Sequence, residues 1–379
     1  MDDTKNLQIN RSDVEIRDLN LANLNISGGS VNLHDSNINN EQGHALEIGG
    51  GADVNFQRGS IRESDDTCIS IGGAKAHFNE VPITTGGFCI GDSDVYIGSG
   101  SVTLTNGTLF ANGSKLNMNN LPLALTNGSM IIDRGTQATF DNLSLDLNGE
   151  IEIEETMNTR FESVEINANQ IRINAQANVV FDDSVISTQG GNLAIGNGSF
   201  VRIENTEFSA DTEQAGIDLN SSKIELINSS IESIKTWTDA SSNQIGSDAI
   251  VARNNSKISI LLSDTSVTNI DAGARPIFAE ESSVDIGSKV QFSSVKDANQ
   301  IQMQSRGKLG LGGYQNVDIG KISLGYDSEA HIGGTWSLEY IYCSNVYDGS
   351  NNAVYRHPVV YQNGASITDK DGSCIMITD

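Results

Sequence analysis

Apolar residues along the chain recur as short alternating pairs at a nearly constant distance. The pairs include Val31/Leu33, Val54/Phe56, Ala76/Phe78, Val95/Ile97, Leu116/Met118, Ala138/Phe140, Thr159/Phe161, Val179/Phe181, Val201/Ile203 and Ile224/Leu226. From Leu33 to Leu226 the second members step by 23, 22, 19, 21, 22, 21, 20, 22 and 23 residues. Nine such steps mark an internal repeat. A further apolar run follows each pair, as in Leu46/Ile48, Ile69/Ile71, Ile131, Ile171/Ile173 and Ile217/Leu219. Alternation with period two turns one side chain inward and the next outward.

Three short strands per repeat, with only a few residues left for each turn, cannot bury their apolar side alone. Stacking the next coil on top does so. The pattern predicts an all-β fold, a right-handed parallel β-helix of about 15 coils, with handedness taken from the crossover rule for parallel strands. A leucine-rich horseshoe requires a Leu-dominated consensus, which is missing here. Two residues beyond the inward anchor stand Asp35, Asn120, Asn142, Asp183, Asn205 and Asn228. Stacked at one bend, such side chains hydrogen-bond the backbone and one another. The solenoid is expected over residues 1–335, followed at 336–379 by an aromatic-rich cap or attachment segment carrying Trp336, Tyr340, Tyr342, Tyr347, Tyr355 and Tyr361.

The period breaks after Leu226, where the step becomes 34, then 26, then 25, before returning to 21. The added residues fall at 233–248, 269–276 and 296–300. Insertions in a solenoid map to loops on one face, often the binding face. Lys235, Trp237, Asp239, Arg275, Lys296 and Asp297 are therefore the expected binding residues, an aromatic ring offering stacking area between polar neighbours. Local packing of Trp237 within its own loop is the competing explanation.

Composition sharpens this picture. With 23 Lys and Arg against 49 Asp and Glu, the formal charge is −26. Such a surface repels phosphate backbones and anionic lipid, so neither nucleic acid nor a membrane surface is expected as partner. No stretch reaches the roughly 18 apolar residues needed to span a bilayer, and direct membrane insertion is not expected. Residues 1–6 lack the basic and apolar regions of a signal peptide, which fits a virion component or a fragment with an added Met. Cys68 and Cys89 lie 21 residues apart, one coil, and Cys343 and Cys374 share the C-terminal segment. Neighbouring coils bring Cα atoms within disulfide range, so the pairings 68–89 and 343–374 are expected in an oxidising compartment, with buried free thiols as the alternative.

The coil pattern over residues 7–335 resembles the pectate-lyase-like β-helix superfamily. Segments such as His44-Ala45-Leu46-Glu47-Ile48-Gly49-Gly50-Gly51-Ala52-Asp53-Val54 look most like pertactin-type autotransporter passengers, with phage tailspikes as the other comparison. Ser64-Asp65-Asp66-Thr67 resembles the paired-aspartate segment of polygalacturonases, but the companion Gly-His-Gly is replaced by Gly86-Gly87-Phe88 and the Arg-x-Lys element is missing. No catalytic residue is therefore assigned. If the chain is an enzyme at all, it is expected to be a polysaccharide hydrolase or lyase. The acidic cluster Asp65, Asp66 and Asp92 is held as a fallback binding site, where oxygen-rich turns suit calcium. The histidines occur singly, so no metal site is assigned and no other cofactor is expected.

The expectation that follows is a non-catalytic adhesin or receptor/glycan-binding protein, extracellular, on a cell surface or on a virion. Its partner would be a cell-surface glycan or protein receptor. A tailspike or fibre protein, as a homotrimer with depolymerase activity, and a purely structural spacer remain the alternatives.

Overall fold

The structure is a computed structural model, which describes residues 5–10, 12–238, 241, 243–261, 267–287, 289–294, 300–312, 317–333, 336–343, 358–363 and 374–378. The chain divides into two compact units, Met1–Ile186 and Ser187–Asp379. Each is an all-β parallel solenoid, and the described residues make about 13 turns in all, somewhat fewer than the 15 or so expected.

One coil of the first unit contains the strands Thr108–Asn112, Lys115–Asn119 and Pro122–Thr126. They pair in parallel with Ser129–Asp133, Gln137–Asp141 and Ser144–Leu147 of the next coil. The first strand of each coil belongs to one sheet, and the second and third belong to another. Register follows the apolar alternation: Met118 faces Phe140, which faces Phe161, which faces Phe181. The rings of Phe140, Phe161 and Phe181 stack at 4.9 and 5.0 Å with interplanar angles of 10° and 15°. Buried rings in offset stacks add about 0.5–1.5 kcal/mol per pair beyond the area that they remove from water.

One expected inward position is reversed. Ile131 lies opposite Phe110 on the outer face, and its neighbours Met130 and Ile132 are fully buried. Three consecutive apolar residues leave the parity open, and the ladder with Leu109 and Ala111 decides it.

The bend between the second and third strands explains the polar column. Asp35, Asn120, Asn142 and Asp183 have φ between 49° and 54°. This left-handed conformation suits Asn and Asp, whose short polar side chains bond locally. Asn142 donates from Nδ2 to Asn120 Oδ1 one coil away. At the preceding corner, hydroxyl groups take over the backbone amides that the ladder leaves unpaired. Ser93 N donates to Ser114 Oγ at 3.2 Å, and Ser114 N to Thr136 Oγ1 at 3.4 Å.

The second unit follows the same plan. Ile203 faces Leu226, then Ile260, Ile286, Leu311 and Ile332 in successive coils. All are nearly or fully buried. Asn205 and Asn228 again adopt φ of 49° and 47°, and Asn228 Nδ2 donates to Asn205 Oδ1 at 2.8 Å. In the C-terminal segment, Trp336–Cys343, Val359–Asn363 and Ile375–Thr378 add onto these ladders as further parallel strands.

Cys68 is bridged to Cys89, and Cys343 to Cys374. The first bridge is diagonal rather than between stacked positions: Cys68 stands opposite Gly87, and Cys89 opposite Ser70. The short coil responsible is the one with the 19-residue step from Phe78 to Ile97.

Candidate functional site

The expanded coils of the second unit build the clearest departure from the ladder. After the strand Ser230–Ser233 the chain leaves the solenoid and forms a hairpin from Thr236–Thr238 and Gln244–Gly246. This pair is antiparallel, with Trp237 opposite Ile245. Residues directly opposed in an antiparallel pair share a face, so Trp237 and Ile245, both half-buried, form an apolar step. Ile234 just before it is 47 % exposed.

The base of the hairpin is rigidly tied. Ser247 donates from its amide to Lys235 O at 2.9 Å and from Oγ to Ser233 O at 2.6 Å. The next coil closes on it, with Gly273 N donating to Ser233 O and Ala274 N to Ser247 O, both at 2.8 Å. Two glycines permit this approach. A Cβ on Gly246 would sit 2.3 Å from the Gly273 carbonyl, and one on Gly273 would sit 2.3 Å from Lys235 O. Ser233, Gly246 and Ser247 thus belong to the scaffold, and the antiparallel pairing of Thr236–Thr238 with Gln244–Gly246 stands apart from the ladder.

The turn at 273–276 packs against the base of the 233–248 insertion, but the expected loop at 269–276 is not one. Thr268–Ala272 is a ladder strand between Ser230–Ser233 and Val290–Ser294, and the extra residues of that coil fall earlier, between Ile260 and Thr268. Of the third expected loop, residues 296–299 lie outside the described residues. The charged groups of this corner are less available than the sequence suggests. Lys235 Nζ pairs with Asp211 Oδ1 at 3.0 Å across one coil. Arg275 makes three side-chain hydrogen bonds. Its Nε and Nη2 grip the two oxygens of Asp248 at 2.8 and 2.6 Å, its Nη1 donates to Gln302 Oε1 at 2.8 Å, and its guanidinium lies 4.2 Å from the Phe278 ring centre. The Asp248 carboxylate is only 14 % exposed. Arg275 is thus a staple through three successive coils, a structural role that its expected place among the binding residues did not include. Spacing could not reveal this, because Asp248 and Gln302 each lie 27 residues away. Asp239, Lys296 and Asp297 lie outside the described residues.

Acidic groups stand beside the strand that leads into the hairpin. Asp211, Glu213 and Glu232 are exposed, and Glu232 stands on the rung beside Asp271. On the outer face of the other sheet, burial pushes the Asp218 carboxyl above its ordinary range, opposed by Arg253, whose Nη1 lies 2.9 Å away. Arg306 is held further towards its charged form by the hydrogen bond and charge of Glu281.

The fallback acidic cluster does not assemble. Asp65 and Asp66 occupy an exposed turn closed by Thr67 N and Oγ1 donating to Ser64 O at 3.2 and 2.9 Å. Asp92 follows the strand Gly87–Gly91, whereas Asp66 precedes Cys68–Gly72, the strand paired with it. The two carboxylate positions thus stand at opposite ends of a five-residue strand, roughly 15 Å apart along its axis. Phe88, where the polygalacturonase comparison has a histidine, is fully buried and meets Phe78 edge-on at 6.3 Å. No group of three His, Cys, Asp or Glu among the described residues is placed to hold a metal ion.

A carboxylate that no motif singles out lies next to this turn. Glu63 has a fully buried side chain, accepts hydrogen bonds from Ala45 N and Thr85 Oγ1, both at 3.1 Å, and lies 3.3 Å from His44 Nδ1. Period-two counting from Ile61 points it inward, which is the signal that could have found it. These donors offset the cost of burying the polar carboxyl group and tie the loop at 41–45 to two coils.

No helix among the described residues is long and apolar enough to cross a membrane. No family model matches the chain, and neither a curated protein nor a solved structure does.

Proposed function

We propose that the chain is a non-catalytic, surface-displayed recognition protein, an adhesin or a receptor- or glycan-binding module, that makes contact through the Trp237 hairpin. One observation carries this reading: a braced hairpin leaves the otherwise regular ladder and presents Trp237, Ile245 and the exposed Ile234. Loops held by a rigid scaffold are where binding concentrates, and an aromatic step beside polar groups offers both contact area and orientation. Two disulfides favour an oxidising, extracellular setting. The likeness of the coils to pertactin-type passengers of the pectate-lyase-like superfamily points the same way.

The test uses the whole chain on its natural surface. Trp237→Ala should weaken attachment at least tenfold with little change in melting temperature. Replacing residues 236–245 by a short turn, with Ser233, Gly246, Ser247 and Asp248 kept, should abolish attachment and leave the β-sheet spectrum unchanged. Full-strength attachment by the shortened protein overturns the reading and redirects attention to the Asp65–Asp66 turn.

A tailspike- or fibre-like homotrimer is the second reading, favoured by the outward apolar residues Tyr342, Ile375 and Ile377, which are 43 %, 48 % and 36 % exposed. Mass measurement in solution separates it from a monomeric adhesin.

A further inference from the structure

Resting on that reading of the hairpin, we infer that the Trp237 surface takes an uncharged saccharide, and that Asp211 enforces this choice. On sequence grounds the basic residues Lys235 and Arg275 would welcome an anionic ligand on an acidic protein. The geometry withdraws both. Arg275 commits its donors to Asp248 and Gln302 and its face to Phe278. Lys235 remains partly accessible, but Asp211 holds its ammonium at 3.0 Å.

An anionic ligand could reach Lys235 only by displacing Asp211, whose carboxylate is 74 % exposed and would remain beside the incoming charge. Glu232, exposed on the strand that leads into the hairpin and on the rung beside Asp271, adds acidic charge nearby. Like charges juxtaposed at an interface act against the wrong partner, and that is a route to specificity. An uncharged sugar meets no such penalty. Its hydroxyl groups donate to the Asp211 carboxylate beside Lys235. The less polar face of the sugar stacks on Trp237, next to Ile245. Ion pairs between exposed groups contribute little to stability, so Asp211 can be altered without threatening the fold. Its structural bond is made by its backbone carbonyl, which accepts from Gly190 N at 2.9 Å and is unaffected by the side chain.

The experiment is an immobilised panel of uncharged oligosaccharides, built from hexoses and N-acetylhexosamines, set beside uronate- and sulfate-bearing ones. It is read with the native chain, Asp211→Asn and Trp237→Ala. The native chain should retain uncharged members only, and Trp237→Ala should lose them. Asp211→Asn should gain at least about tenfold for anionic members, because Lys235 is then free and one repelling charge is gone. Trp237-dependent retention of anionic members by the native chain overturns the inference while leaving the hairpin as the recognition surface. An unchanged preference in Asp211→Asn removes Asp211 from its assigned role. Retention of no saccharide through Trp237 overturns the ligand class, and the attachment test on the natural surface then decides separately whether the hairpin recognises anything.

Discussion

Between Thr108 and Asp182 the coils are nearly interchangeable. Strands of four or five residues repeat with the same bends, and Phe140, Phe161 and Phe181 place one ring on the next. Between Glu207 and Gln302 the strands keep their register but the corners do not repeat. One corner carries a hairpin, and the next two coils are fastened to it by Arg275, Asp248 and Gln302. The first region is held by like packing on like, which asks for coils of closely similar length. The second holds coils of unequal length together with a bridging cation at the corner. A solenoid can therefore give up regularity where it needs a projecting surface, provided that something else spans the irregular rungs.

The comparison can be broken most sharply in the regular region. Phe161→Ala removes the middle ring of the stack and should cost about 3–5 kcal/mol, as large-to-small changes of buried aromatic residues do. Urea unfolding measures it, and a loss below about 1 kcal/mol would mean that the stack relaxes and regular packing is not what holds these coils.

In the irregular region Arg275→Ala should cost about 2–3 kcal/mol, because it removes both guanidinium donors from the mostly buried Asp248 carboxylate and leaves it only the backbone amide of residue 275, at 3.2 Å. Arg275→Lys should recover little, since an ammonium cannot grip both oxygens, reach Gln302 and lie flat on Phe278 at once. Equal stability of the Lys variant and the native chain would reduce the staple to a simple charge.

The smallest expected effect concerns pH. The folded-state pKa of Asp218 is raised, mainly by burial, so the folded form prefers the protonated carboxyl. Its contribution to stability is fully present below the ordinary carboxyl value of 3.8 that holds in the unfolded chain, and is lost as pH rises through the folded-state value. Asp218→Asn should therefore be slightly more stable than the native chain at pH 7, with the gap closing in acid. Melting temperatures across that range check it. A variant less stable at pH 7 would show that Arg253 outweighs burial.

Much of this architecture is legible in the sequence because each coil repeats the same physical constraint. The inward pairs ending in Phe140, Phe161 and Phe181 declare the period, and Asn120, Asn142 and Asn205 mark left-handed bends that most residues avoid. Legibility fails where the constraint is not local. Ile131 sits in an apolar triplet with two equally good parities, and only its ladder partner chooses. The extra length near Trp237 is visible, but its antiparallel pairing is not. The commitment of Arg275 is hidden because its partners are acidic and amide side chains with no spacing signature. Glu63 escapes notice for the opposite reason: its inward parity is readable, but a carboxylate at a core position is easily taken for a turn residue.

The serine hydroxyls at the corners also record how far apart in the chain a stacked contact lies. Ser93 and Ser114 meet across 21 residues, and Ser222 and Ser256 meet across 34. Closing a flexible loop costs entropy only as the logarithm of its length, so the longer closure costs about 0.4 kcal/mol more. The hairpin coil therefore docks onto its neighbour almost as readily as a plain one, and an assembly that adds one coil at a time has little reason to stall there. Loop length at this corner is nearly neutral for folding, which leaves it free to vary.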